Sequence, residues 1–196
     1  MNDMEFSKYL AYILRHHPET IDLELEENGW VEVNILIQAI NQKSKYHISL
    51  EDLKRIVEND NKKRYSFDKE GLHIRANQGH SIKNLKMDFK EIIPPKYLYH
   101  GTAKETLPII LKSGELKPMS RQMVHLSKDV ETAIIVGSRH GNPVILKIDT
   151  QKAQEEGKKF FISENGVYLV DHLDIHLCEV LENIQKESES EERMER

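Results

Sequence analysis

Apolar residues recur at helical spacing near the start of the chain. Phe6, Tyr9, Leu10, Ile13 and Leu14 mark one helix face, and Pro18 stops the segment soon after. Trp30, Val31 and Val33 follow Asn28-Gly29 and read as a short extended segment. Ile35, Leu36, Ala39 and Ile40 mark a second helical stripe. Ser49-x-x-Asp52 is a capping-box pattern that opens a third helix running through Val57. Then the period changes. Arg64-Tyr-Ser-Phe67 and Leu72-His-Ile-Arg75 flank Asp68-Lys-Glu-Gly71, a hairpin signal. On the returning strand Leu72, Ile74 and Ala76 share one face, which puts His73 and Arg75 on the other. Three short helices and a hairpin give the element order of a winged helix. That likeness is a fold analogy and says little about function.

The second half is mostly extended. Tyr97-Leu-Tyr99, Val124-His-Leu126 and Val144-Ile-Leu-Lys-Ile148 read as strands, the last the strongest in the chain. Phe160-Phe-Ile162 and Val167-Tyr-Leu169 flank Asn165-Gly166, a second turn. A helix over 109–112 ends at Ser113-Gly114, and another over 132–136 ends near Gly137. Thr102-x-x-Glu105 is a possible capping box, although Pro108 fits better if that helix starts near Thr106. Pro94-Pro95 blocks helix continuation and marks the best internal boundary. The expected organisation is a lobe over 1–92, a second over 93–185 and a charged tail, KESESEERMER, over 186–196.

Composition narrows the class. A length of 196 residues suits two small lobes with cores of their own. The apolar runs fall short of the ~18–20 residues a membrane helix needs. The early acids Asp3 and Glu5, with no basic run before them, argue against a signal peptide. Cys178 is the single cysteine, so an intrachain disulfide and a Cys-based zinc site are excluded and a cytoplasmic protein is expected. His172, His176 and Cys178 lack an evident fourth partner, so no metal is expected. The net charge of −5 argues against a broad nucleic-acid coat, which needs excess Lys and Arg, but leaves room for a local basic pocket. The sequence has no P-loop, no GxGxxG after a strand and no GxSxG.

Several polar groups stand where chemistry could occur. Arg15-His16-His17-Pro18 ends the first helix, where basic side chains either cap the dipole or bind an anion. Arg75-Ala-Asn-Gln-Gly-His80-Ser closes the hairpin with residues able to hold a polar ligand. His100-Gly101-Thr102 ends an aromatic strand, and a glycine there lets backbone approach a flat ligand. Arg121, His125 and Ser127 repeat the polar theme around another short strand, and Arg139 sits between Gly137 and Gly141.

In order, these motifs are specific. Leu14-Arg-His16, Gly29-Trp-Val31, Lys63-Arg-Tyr65, Ile74-Arg-Ala-Asn-Gln-Gly-His-Ser81, Leu98-Tyr-His-Gly-Thr102, Met119-Ser-Arg121, Val124-His-Leu-Ser127, Gly137-Ser-Arg139 and Asn165-Gly-Val-Tyr-Leu169 resemble the RNA 2′-phosphotransferase family. The likeness runs from about Ser7 to about Val180. It implies an α+β protein with an N-terminal winged-helix-like lobe for RNA and a C-terminal ADP-ribosyltransferase-like mixed β lobe for NAD. It implies removal of an internal 2′-phosphate from RNA through an ADP-ribosylated phosphate. The products are 2′-OH RNA, ADP-ribose 1″,2″-cyclic phosphate and nicotinamide. The positions matching the family's catalytic set are Arg15, His16, Arg75 and Arg139. Those matching its NAD motifs are His100, Gly101, Thr102, His125 and Ser127. A monomer is expected, and His16 is open to two roles, phosphate ligand or general acid. Two other classes compete. A mono-ADP-ribosyltransferase would stop after the first step on a nucleic-acid end or a protein. A winged-helix regulator that senses NAD would need a basic recognition helix, whereas residues 50–60 hold more acids than bases.

Overall fold

The computed structural model describes residues 2–181. The expected tail over 186–196 lies outside them. The chain is α+β and divides into two compact units. One is Met1–Phe89 with Ser120–Gln122; the other is Lys90–Met119 with the chain from Met123 onward.

In the first unit, helix α1 (Asp3–Arg15) buries Phe6, Leu10, Ile13 and Leu14, the apolar face that the spacing sets. The Asn2 side chain accepts from the Met4 amide at 3.0 Å and caps its start. Strand β1 (Val31–Glu32) leads into helix α2 (Val33–Lys43), which buries Val33, Leu36 and Ile40 but leaves Ile35 exposed. Helix α3 (Leu50–Glu58) opens with the expected capping box. The Asp52 amide donates to Ser49 Oγ at 3.2 Å, and the Ser49 amide donates to Asp52 Oδ2 at 3.0 Å. Arg55 on α3 bonds both Asp52 and Asp3, which ties α3 to the start of α1.

Strands β2 (Tyr65–Phe67) and β3 (His73–Ala76) form the hairpin, and β1 pairs with β3 to give the sheet order β1-β3-β2. Ile74 and Ala76 point into the core as expected. Leu72 does not: it precedes β3 and is exposed, so it belongs to the turn rather than to the strand face. One core lies beneath this unit, built from α1, α2, α3 and the buried side of the sheet.

The second unit begins with strand β4 (Lys90–Ile92), read from the sequence as the end of the first lobe. Its partner is β9, which draws it into this unit. Strand β5 (Tyr97–Ala103) contains Thr102, so Thr102 caps no helix. Helix α4 (Leu107–Ser113) starts after Thr106 with Pro108 in its first turn, and Gly114 ends it at φ 73°. Strands β6 (Glu115–Leu116) and β7 (Val124–Leu126) precede helix α5 (Val130–Gly137), which Asp129 caps by accepting from the Thr132 amide. Strand β8 (Pro143–Asp149) runs into helix α6 (Thr150–Glu155). Strands β9 (Phe160–Ile162), β10 (Tyr168–Val170), β11 (Leu173–Asp174) and β12 (Cys178–Leu181) complete it.

These strands form sheets ordered β4-β9-β10-β7, β12-β8-β5 and β11-β6. Tyr99 and Ser127 exchange backbone bonds at 2.9 and 2.7 Å, which brings the end of β7 beside β5. Among the described residues no helix is long and apolar enough to cross a membrane.

Candidate active site

In the first unit the sequence places a helix end and a loop together. The Ser81 amide donates to the Arg15 carbonyl at 2.9 Å, and His16 Nδ1 meets Ser81 Oγ at 2.9 Å. Asn77 anchors the loop's start through its amide to the Arg64 carbonyl, at 2.7 Å, and its side chain to the Lys63 carbonyl, at 2.8 Å. Gly79 holds φ +91°, a conformation that costs glycine little. Its carbonyl accepts from Arg121, and a Cβ built on it would stand 2.7 Å from Arg121 Nη1 and 3.6 Å from Arg15 Nη1. Gln122 donates to the Ile82 carbonyl at 2.9 Å, which fixes the segment that carries Arg121.

Electrostatics mark this cluster. Burial holds the Arg15 guanidinium down to about 10, with Arg121 and Arg64 pushing the same way and Tyr65 opposing. Arg15 Nε and Nη2 are buried without a hydrogen-bond partner among the described residues. Arg121 is also lowered by burial. Burial, then Arg121 and Arg15, keep His16 below its ordinary value and therefore neutral near pH 7. His80 is 1% exposed and neither ring nitrogen has a partner among the described residues. Burial foremost, then Arg15, His16, Arg75 and Arg121, push its pKa down to about 3. Arg75 also stacks over Trp30 at 4.5 Å. Arg64 is held by Asp60 through both its side chain and its amide.

Three guanidiniums and a neutral imidazole thus gather around Gly79 and His80. Such a group repels itself and favours an incoming anion, and Arg forks match phosphate oxygens. The structure brings Arg15, His16, Arg75 and Arg121 together, while Arg139, the remaining member of the implied set, belongs to the second unit. Arg121 is named in the sequence motif but is not among the expected catalytic residues. Its one local signal is its place just before Val124-His-Leu-Ser127.

In the second unit, Ser127 pairs with Tyr99, the residue before His100, and His100 meets the His125 backbone. The His125 carbonyl can only accept, so its 3.0 Å contact puts the proton on His100 Nδ1 and leaves Nε2 of the neutral ring as an acceptor. Burial lowers His100 and maintains that neutral form. Thr102 is buried within β5. Gly101 has a structural task that the sequence did not reveal. A Cβ there would overlap the Ala133 carbonyl of α5, so the open side of this glycine is filled by a helix. Gly137 answers from α5, where a Cβ would stand 3.1 Å from the Thr102 oxygen and 3.2 Å from the Gly101 carbonyl carbon. Arg139 follows two residues later in an exposed turn. His172 and His176 diverge: Lys158 Nζ lies 2.8 Å from His172, while His176 meets Glu156 at 2.9 Å.

A family model described as RNA 2′-phosphotransferase, Tpt1 / KptA family, matches residues 1–172. The chain belongs to the RNA 2′-phosphotransferase family. It is therefore a transferase of that class. Its relatives include a probable RNA 2′-phosphotransferase of Fusobacterium nucleatum, 51% identical over 171 residues that cover 87% of this chain and 94% of the relative. A protein of the same name from Trichormus variabilis is 48% identical and covers 87% and 92% of the two chains. One from Acaryochloris marina is 48% identical and covers 85% and 91%. Among RNA 2′-phosphotransferase motifs, Leu14-Arg-His16, Gly29-Trp-Val31, Lys63-Arg-Tyr65 and Met119-Ser-Arg121 all meet the Arg75-to-Ser81 loop in the first unit.

Proposed function

We propose that the chain takes RNA carrying a 2′-phosphate and uses NAD as co-substrate to remove that phosphate. The arginine cluster around Gly79 and His80 is the observation that carries this reading. The winged-helix-like first unit holds the RNA, and the ADP-ribosyltransferase-like second unit holds NAD. A 2′-phosphate oxygen attacks C1″ of the NAD ribose, and the bond to nicotinamide breaks. The ribose 2″-hydroxyl then attacks phosphorus, the bond to the RNA 2′-oxygen breaks, and that oxygen leaves with a proton. ADP-ribose 1″,2″-cyclic phosphate is the other product.

Arg15, Arg75 and Arg121 orient the phosphate in the first step and stabilise charge on five-coordinate phosphorus in the second. One such arginine contributes about 10³–10⁵ in rate in other phosphoryl transfers. Arg139 is the further member that the resemblance supplies. His16 either ligates the phosphate or protonates the departing oxygen. His100 Nε2 accepts from a ribose hydroxyl, while the Gly101 backbone, Thr102, His125 and Ser127 line the dinucleotide. The reading is of a cytoplasmic monomer; the lone cysteine supports the compartment.

The test is to incubate the purified chain with NAD and a 2′-phosphorylated oligonucleotide. The expected outcome is 2′-OH RNA with the cyclic phosphate. A stable ADP-ribosyl adduct would instead mean a mono-ADP-ribosyltransferase, and no change in either substrate would mean a regulator.

A further inference from the structure

His16, at the end of α1, also borders a second feature. Met4, Lys8, Tyr12 and His16 stand four residues apart, so they form one ridge along α1. The ridge is about 18 Å long at 1.5 Å per residue. All four line a cavity of about 600 Å³ in the first unit, with Ile56 and Asn59 from the end of α3 on its other wall. Arg64 joins His16 among its lining residues, so the cavity shares His16 with the site around Gly79, and Arg64 lies close enough for its charge to reach Arg15. Met4 is 70% exposed and Tyr12 42%, and the Tyr12 ring lies 4.7 Å from that of His17.

Its chemistry is mixed in a particular way. Its two acids are both engaged, Asp3 by Arg55 and Asp60 by Arg64. Lys8 stands on the ridge two turns from His16, and Lys62 stands at the rim. A wall with an aromatic ring, flanked by amides and ammonium groups, suits bases and a phosphodiester. Stacking on such rings tolerates any base, and each stacked base contributes measurably to single-strand binding. On its own the groove is too small for a folded polypeptide partner, whose interface buries roughly 800 Å² on each side.

We propose that this groove is a binding site for the single-stranded nucleotides that neighbour the 2′-phosphorylated residue. One base lies against Tyr12, and a backbone phosphate lies toward Lys8. The site extends the reading of the arginine cluster as a 2′-phosphate site and rests on it. It assigns recognition of flanking RNA to one face of α1, which the overall charge of −5 does not suggest.

The experiment compares two substrates with NAD: a 2′-phosphorylated dinucleotide and the same unit extended by several nucleotides on each side. Wild-type protein should show a lower KM for the extended substrate. Lys8→Glu should raise that KM about tenfold with kcat unchanged, and should leave the dinucleotide kinetics as they are. Tyr12→Leu should likewise remove most of the advantage of length. Equal KM values for the two substrates in wild type, or unchanged KM for the extended substrate in both variants, would overturn the groove. Failure of wild type to release phosphate from either substrate would instead overturn the reading on which it rests.

Discussion

Arg121 donates to the Gly79 carbonyl across 42 residues of sequence. The bond fixes one guanidinium beside another, because Arg15 Nη1 approaches the same glycine. Two cations held together before any anion arrives are preorganised to receive one, and the cost of assembling them is met in folding rather than at the moment of reaction. Arg139 lies in an exposed turn, with no such restraint among the described residues.

Arg121→Ala is accordingly expected to lower turnover of a 2′-phosphorylated oligonucleotide by about 10²–10³, and Arg139→Ala by less. Arg75→Ala should cost at least about 10², since Arg75 stands in the same cluster. The fold should be intact in each case, as judged by unchanged urea midpoints. A larger loss at Arg139 than at Arg121 would reverse the ranking and return the weight to the set that the resemblance implies.

Local pattern explains what was legible beforehand. The face of α1, the Ser49 box, the long β8 strand and the Asn165-Gly166 turn all depend on residues a few positions apart, and each appears where the sequence indicates. Arg121 depends instead on a loop that is distant in sequence, so no periodicity could reveal its partner. Gly101 shows a different blindness. A glycine announces that space is needed but not for what, and on the Cβ side of Gly101 the space admits Ala133. Thr102 failed as a cap because β5 continues through it, and the strand's pairing with β8 outweighs a four-residue signature.

His16 offers a prediction about chemistry. It is neutral, and its Nδ1 is shared with Ser81 Oγ, so the ring is oriented before substrate binds. If it takes the proton of the attacking ribose 2″-hydroxyl and passes it to the leaving RNA oxygen, its removal slows the second step more than the first. His16→Ala should then fall by about 10² in turnover. ADP-ribosylated RNA should accumulate, visible as a slower band on a denaturing gel. Full activity in this variant would remove His16 from the mechanism.

The contact of Gly101 with Ala133 predicts a loss of stability independent of catalysis. A methyl group at 101 overlaps backbone, and backbone in a paired strand and a helix cannot turn aside as a side chain can. Gly101→Ala should lose about 3 kcal/mol or more, or fail to accumulate as soluble protein. At Gly137 the nearest atoms stand at 3.1 to 3.2 Å, so Gly137→Ala should lose only about 1 kcal/mol. Urea unfolding of the two variants decides the matter, and equal midpoints would mean that α5 shifts freely on β5.

His80 predicts how stability responds to acid. Unfolded, its ring takes up a proton near the ordinary value of 6.5, whereas in the fold it does so only at about 3. Between those values the unfolded chain holds the additional proton, so lowering the pH favours unfolding. Stability is fully present above pH 6.5 and drains as the pH falls toward 3, by about 1.4 kcal/mol per pH unit at most. His16 and His100 are also held below their ordinary value and share the upper part of that window. His80→Asn removes the buried ring from the balance and should flatten the slope. Urea unfolding at pH 7, 6 and 5 would show wild type losing about 1 to 2 kcal/mol more than the variant. Parallel slopes would mean that His80 takes up its proton without leaving the cluster, and that the arginines around it tolerate a further charge.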